Sequence, residues 1–218
     1  MKELFMLKKT QTVKNYWDER SELFSNYYIQ PSLFDKIFRK GIYKRIAVSI
    51  NCCKKIHNAT VLDIGSGPGI NSVSLIKNAN AAYVLGIDFS PKMIDHANKF
   101  VKSEGVSEKC KFILGDALIY DFGDKKFDFI MALGVFDYIS NQQELINRIS
   151  ILSQNSFVIS WPKNGLRMWL RRRRYTCQLF NYTYDQILML HTKAGISLEK
   201  LEIISGRGGF ITIAHKNS

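Results

Sequence analysis

The chain has 218 residues, 46% hydrophobic and 23% charged, with 14 Gly and only 4 Pro. That balance excludes a disordered chain, a collagen-like repeat and a disulfide-stapled miniprotein, and it leaves room for one full core. The net charge of +12 is uneven, +7 over residues 1–59, −2 over 60–160 and +7 over 161–218. This argues against a uniform nucleic-acid coat and for a near-neutral core with basic additions.

The start, Met1 to Lys9, lacks the apolar run of a secretory signal. No stretch approaches the roughly 18 uninterrupted apolar residues of a membrane span. Cys52, Cys53, Cys110 and Cys177 form no C-x-x-C pair and no metal-ligand spacing, so free thiols in a reducing cytoplasm and no metal are expected. Residues 1–58 read as a helical extension. Leu33, Phe34, Ile37 and Phe38, then Ile42, Ile46 and Ile50, recur at helical spacing, and Pro31 fits a helix start or the break before one.

Residues 59–218 change texture and read as a single globular unit. Thr60–Ile64 is a short strand running into Gly65-Ser-Gly-Pro-Gly69, and Ile70–Asn78 is helical. Ala82–Ile87 is a second strand ending at Asp88. Ser90 and Pro91 then open a helix carrying Met93, Ile94, Ala97 and Val101 on one face. Lys111–Leu114 and Phe127–Leu133 are further strands, Gln142–Leu152 a helix, and Ser156–Ser160 a fifth strand. Thr183–Ala194 is a helix stopped by Gly195, and Ser197–Ser205 and Phe210–His215 close the chain as strands. The alternation predicts an α/β fold with a mostly parallel sheet, helices on both faces and an antiparallel edge.

Three features at successive strand ends point to a nucleoside-bearing ligand. Gly65, Gly67 and Gly69 allow close backbone approach at a helix start. They depart from the dinucleotide pattern G-x-G-x-x-G, whose third glycine would fall at Ile70, and Pro68 removes an amide that a pyrophosphate would use. Asp88 stands where a carboxylate accepts from ribose hydroxyls. Gly115-Asp116-Ala117 places a carboxylate and an amide where an adenine edge would lie.

Together these residues resemble the class I S-adenosylmethionine-dependent methyltransferases, from about residue 12 to the end and most sharply over 60–138. The resemblance implies a Rossmann-like sheet of seven strands, the last antiparallel, with residues 1–58 as a lid. S-adenosylmethionine is the implied cofactor. Gly65, Gly67 and Gly69 would pack on its methionine and ribose part. Asp63 would support the loop and reach the amino group, directly or through water, with the Leu133 carbonyl nearby. Asp88 would take the ribose hydroxyls, Phe89 would pack beside the adenine, and Asp116 with the Ala117 amide would meet its edge.

The segment Ala132 to Ile139 follows the fourth strand and lacks the Asn/Asp-Pro-Pro-Tyr signature of amino methylation on adenine or glutamine, so DNA is not the expected partner. It is similar to the small-molecule enzymes, such as the quinone-biosynthesis and magnesium-protoporphyrin methyltransferases. Asp137, Tyr138 and Tyr16 are the candidate bases, Tyr16 alternatively serving as an aromatic cover from Asn15-Tyr-Trp-Asp-Glu-Arg20. Trp161, Arg167 and Arg171 are candidates for the acceptor wall, where guanidinium forks match carboxylates or phosphates. Arg171–Arg174 cannot share one helix face, so part of the run is solvated. It leaves open a membrane surface or an RNA backbone as partner. The expected function is methyl transfer to oxygen or nitrogen of a small anionic acceptor. The alternatives are an RNA or protein methyltransferase and a non-catalytic scaffold that kept the fold. A polyamine synthase fits less well, since Asp137 is the only acid in that loop.

Overall fold

The structure, a computed structural model, describes residues 11–21, 40–206 and 208–216. Leu33, Phe34, Ile37 and Phe38, with Pro31, lie outside the described residues. Helix α1 covers 11–21 and α2 covers Lys40–Cys53. There follow β1 (Thr60–Ile64), α3 (Ile70–Ala79), β2 (Tyr83–Asp88), α4 (Pro91–Ser103), β3 (Cys110–Leu114), β4 (Phe127–Ala132), α5 (Gln142–Leu152) and β5 (Ser153–Pro162). Helices α6 (Leu166–Arg174) and α7 (Tyr184–Lys193) precede a 3-10 turn (Leu198–Lys200), β6 (Leu201–Gly206) and β7 (Gly209–His215).

The seven strands form one sheet in the order β3-β2-β1-β4-β5-β7-β6. The first five are mutually parallel, and β7 runs antiparallel between β5 and β6. Central strands must be apolar on both faces because helices cover both, and β1 and β4 are almost wholly buried. Alternation sorts their side chains into two cores. Leu62, Ile64, Ile130 and Ile159 face α5 and α7, whereas Val61, Phe129, Met131 and Val158 face α2 and α3. Cys52 and Cys53 of α2 are buried in that second core, so the end of α2 packs on the sheet.

Local signals explain the element ends. The Ser90 hydroxyl accepts from the Met93 amide at 3.2 Å at the start of α4. Thr183 and Gln186 form a reciprocal capping box on α7. The structure departs from the sequence reading in three places. The Leu198–Lys200 turn takes the start of the expected sixth strand. Strand β5 extends to both sides of Ser156–Ser160. The basic run forms a helix, α6. At the β6–β7 hairpin, Gly206 pairs with Gly209, and a Cβ on Gly209 would lie 2.0 Å from the Trp161 carbonyl oxygen. The adjoining strand therefore admits only glycine there.

Trp161 is fully buried and donates from Nε1 to Thr212 Oγ1 at 2.9 Å, packed against Phe136, Tyr182 and His191. His191 is also fully buried. Its Nδ1 bonds the Ile187 carbonyl at 2.8 Å, so that nitrogen carries the proton, and Nε2 has no partner among the described residues. Burial pulls its pKa down to about 4, so it is neutral in the fold. The unfolded chain protonates at the ordinary value near 6.5. This contribution to stability is therefore complete above pH ~6.5 and is lost as pH falls towards 4. Between pH 7.5 and pH 5 the loss comes to about 2 kcal/mol. Urea unfolding at both pH values checks this. His191→Phe, which keeps an aromatic ring beside Phe157 and Trp161, is expected to lose about 2 kcal/mol less than the parent over that range.

Candidate active site

The strand order reverses between β1 and β4, so a crevice opens over their carboxyl ends, where ligands bind in open α/β sheets. The glycine loop spans it. Gly65 and Gly69 have φ of 67° and 79°, conformations that L side chains rarely adopt. A Cβ on Gly65 would meet Val135 Cγ2 at 2.5 Å, and one on Gly69 would meet Phe112 Cζ at 2.6 Å. The loop is thus held between β3 and the segment after β4.

Asp88 fixes this loop from the next strand. Its Oδ2 accepts from the Gly67 amide and its Oδ1 from the Ser90 amide, both at 2.9 Å. Each oxygen keeps a further lone pair for a ligand hydroxyl. Burial pushes its carboxyl up, and the two amides oppose that. Asp63 lies beneath the loop, fully buried, where its Oδ2 accepts from the Ser72 hydroxyl at 2.6 Å. Burial pushes this carboxyl up to about 7, against the Ser72 bond and with the Asp88 charge adding to the rise. A cation above the loop would draw it down again. At the end of β3, Asp116 Oδ1 accepts from the Leu118 amide at 2.9 Å in a local turn, and Ala117 is half-buried beside it. The Gly115 amide donates to the Asp88 carbonyl at 2.9 Å, so the second and third strand ends are tied.

The other half of the crevice is aromatic. Helix α1 brings Tyr16 and Trp17, the segment after β4 brings Tyr138, and the residue after α6 is Tyr175. Tyr16 stacks on Tyr175 with centroids 4.7 Å apart, and Trp17 meets Tyr138 edge-on at 5.4 Å. Val13, Met168, Cys177 and Leu179 complete the cluster, with Phe89 packed against it. Phe89, next to Asp88, therefore links the glycine-loop half to the aromatic half. Behind it, Arg171 Nη2 bonds Asp137 Oδ2 at 3.2 Å and the Tyr138 hydroxyl at 3.1 Å. Asp137 is buried, and its Oδ1 has no partner among the described residues. Burial pushes the Tyr16 and Tyr138 phenols up. Both stay protonated at neutral pH and are ill suited as bases, which leaves Asp137 of the three candidates.

One sequence assignment to the acceptor wall changes. Trp161 lines no crevice, because its ring is wholly inside the core. The side chain of Arg167 lies outside the described residues. Leu133 is half-buried after β4, and the next amide, that of Gly134, donates to Ser160 Oγ at 2.8 Å.

Sequence reasoning missed Asp18, Trp17, Tyr175 and Arg45. Asp18 of α1 accepts from the Ser90 hydroxyl. Arg45 of α2 approaches Gly134, where a Cβ would lie 3.8 Å from its Nη1. Asp18 and Trp17 sit in the same Asn15–Arg20 segment as Tyr16, a signal that was present but read for one residue. Nothing in the sequence announces Arg45. Among the described residues no group of His, Cys, Asp and Glu is arranged to hold a metal, and the four cysteines are free and buried.

Residues 61–153 match a family model described as a methyltransferase domain. The fold is similar to magnesium protoporphyrin IX methyltransferase from Synechocystis with SAH bound, with TM-score 0.74 and 18% identity over 95% of this chain and 98% of that one. Residues 61–153 thus carry a methyltransferase domain, and the fold is that of the class I S-adenosylmethionine-dependent methyltransferases. Among curated relatives, this chain is 26% identical to the methyltransferase GfsG of Streptomyces halstedii, over 65% of this chain and 53% of that protein. It is 23% identical to demethylmenaquinone methyltransferase of Bacteroides fragilis, over 70% of this chain and 60% of that protein. The matches span 30%, 53% and 48% of the first three curated relatives, so the shared part of the methyltransferase is the domain and not their whole length.

Proposed function

We propose that the chain transfers the methyl group of S-adenosylmethionine to oxygen or nitrogen of a small anionic acceptor. The observation that carries this is the register of Asp63, the Gly65–Gly69 loop, Asp88 and Asp116 at the ends of three adjacent strands. The residues fit the cofactor. Val135 and Phe112 pack so closely on Gly65 and Gly69 that the loop is held in one left-handed course, Asp88 keeps free lone pairs, and Asp63 is a buried carboxyl that a cation would ionise.

When bound, S-adenosylmethionine supplies a methyl carbon whose bond to positive sulfur breaks as the acceptor's lone pair bonds to it, leaving a neutral thioether. The protein's task is then mainly alignment. Tyr16, Trp17, Tyr138 and Tyr175 form a rigid aromatic wall that excludes water. The Tyr138 phenol, held by Arg171, donates and does not abstract. Asp137 Oδ1 is the acceptor of a proton where the substrate arrives protonated. Arg171 has its charge matched by Asp137. Arg45 has no acidic partner among the described residues, so its guanidinium at the Gly134 rim is the one placed to take an acceptor anion. Relatives named for demethylmenaquinone and magnesium protoporphyrin IX support a small-molecule acceptor.

Calorimetry with S-adenosylmethionine and S-adenosylhomocysteine, followed by turnover on an acceptor panel, tests the reading. Binding of neither overturns it. Arg45→Gln is expected to raise KM for carboxylate or phosphate acceptors about tenfold, the scale of one charge-assisted hydrogen bond, with cofactor affinity unchanged. An unchanged KM removes the anionic preference.

A further inference from the structure

The inner face of α6 belongs to the aromatic cluster, through Met168 and Arg171. Its outer face has no partner among the described residues. Trp169 is 49% exposed and Leu170 43% exposed, with Arg172 and Arg173 exposed beside them. The Arg173 guanidinium lies over the Trp169 ring, 3.9 Å from its centroid. Among the described residues Arg172 bonds only the neutral Asn181, at 2.6 Å, and neither arginine has an acidic partner there. The neighbouring rim repeats the pattern. Lys163 sits 5.8 Å from the Phe210 ring, and the half-exposed Tyr184 packs against Phe210 at 6.4 Å.

We propose that the outer face of α6 and this rim form a docking surface for an anionic lipid bilayer, placed beside the mouth of the acceptor site. Three features support a bilayer. Trp and Tyr favour the headgroup level, where an apolar ring and a polar tip are both satisfied. Leu170 gains from acyl chains and has nothing to offer a nucleotide. Arg172 and Arg173 can stay with lipid phosphates while the apolar side chains insert, the division of labour in interfacial helices. RNA is less well served. One face of the Trp169 ring is already covered by Arg173, and Leu170 cannot stack. The helix is short, with nine residues, so attachment is reversible and needs both the apolar and the basic contribution. Among the described residues no helix is long and apolar enough to cross a membrane, which fits docking at a surface.

The test floats the full chain with vesicles of phosphatidylcholine alone and of phosphatidylcholine with about 30% phosphatidylglycerol, a strongly anionic surface. Capture is expected on the anionic vesicles only, with release at high salt. Trp169→Ala with Leu170→Ala, and separately Arg172→Gln with Arg173→Gln, are each expected to cut the captured fraction at least fivefold. Thermal unfolding and calorimetric binding of S-adenosylhomocysteine should match the parent. Brominated acyl chains should quench tryptophan fluorescence in the parent and not in Trp169→Phe. No capture overturns the proposal. So does capture that survives loss of Trp169 and Leu170, which would reduce the surface to general charge attraction. Tight, salt-sensitive binding of single-stranded RNA without vesicle capture overturns it in favour of RNA. Vesicle capture is independent of catalysis, so failure here leaves the proposed reaction standing.

Discussion

Asp88→Ala is expected to weaken S-adenosylhomocysteine binding by about 100-fold or more, measured by calorimetry. Hydrogen bonds to a charged acceptor contribute about 1.5–3 kcal/mol each, and a ribose offers two hydroxyls. The same carboxylate also holds the Gly67 and Ser90 amides. Its loss therefore loosens the glycine loop and the start of α4, and the melting temperature should fall as well. Asp88→Asn separates the two effects, because its amide oxygen can keep one backbone donor. It is expected to recover most of the melting temperature and much less of the affinity. Equal affinity in Asp88→Ala and the parent would remove Asp88 from the cofactor site.

The second large effect concerns Arg171 and Asp137. The Asp137 side chain is 6% exposed and that of Arg171 21% exposed. Removing one member of a buried ion pair costs about 3–5 kcal/mol because the other is left desolvated and unmatched. The two members are not equivalent. Arg171 can turn part of its guanidinium towards water, whereas Asp137 cannot. Arg171→Met is therefore expected to destabilise by about 3 kcal/mol. Asp137→Asn should cost clearly less, and the double variant should recover most of the Arg171→Met loss. Urea unfolding of the four proteins measures the coupling. Activity separates the roles further. Asp137→Asn should depress kcat most at low pH with acceptors that arrive protonated, and least with those already ionised. Additive stabilities would show that the pair acts as two independent surface groups.

The geometry of the proposed cofactor half was legible in the sequence because the backbone leaves little choice there. A strand that ends in Gly65-Ser-Gly-Pro-Gly69 turns through left-handed glycines into the next helix, and Asp88 and Asp116 follow at strand ends whose positions the sheet sets. The acceptor half draws on segments far apart in the chain. Tyr16 and Tyr175 stack across 159 positions, a pairing no local pattern encodes. Trp161 was misplaced because aromatic residues beside arginines look like a pocket wall. Its strand is buried on both faces over most of its length, so a side chain there has only the core to enter, and its N–H finds Thr212 on a later strand. Helix α6 was hidden for a related reason. Four arginines mask the spacing of Met168, Arg171 and Tyr175, which places three side chains on one inward face. Arg45 has no signal at all, since one basic residue in a lysine- and arginine-rich extension is indistinguishable from its neighbours.

Helix α1 touches both halves of the crevice. Asp18 is bonded to Ser90, two residues beyond Asp88, while Tyr16 and Trp17 on the same helix close the aromatic wall. A helix so pinned cannot uncover one half and leave the other shut. Displacing α1 therefore disturbs both halves at once. Asp18→Ala is expected to raise the KM for the cofactor and the KM for the acceptor together in steady-state kinetics, and a change in only one of them would show that the two halves respond independently.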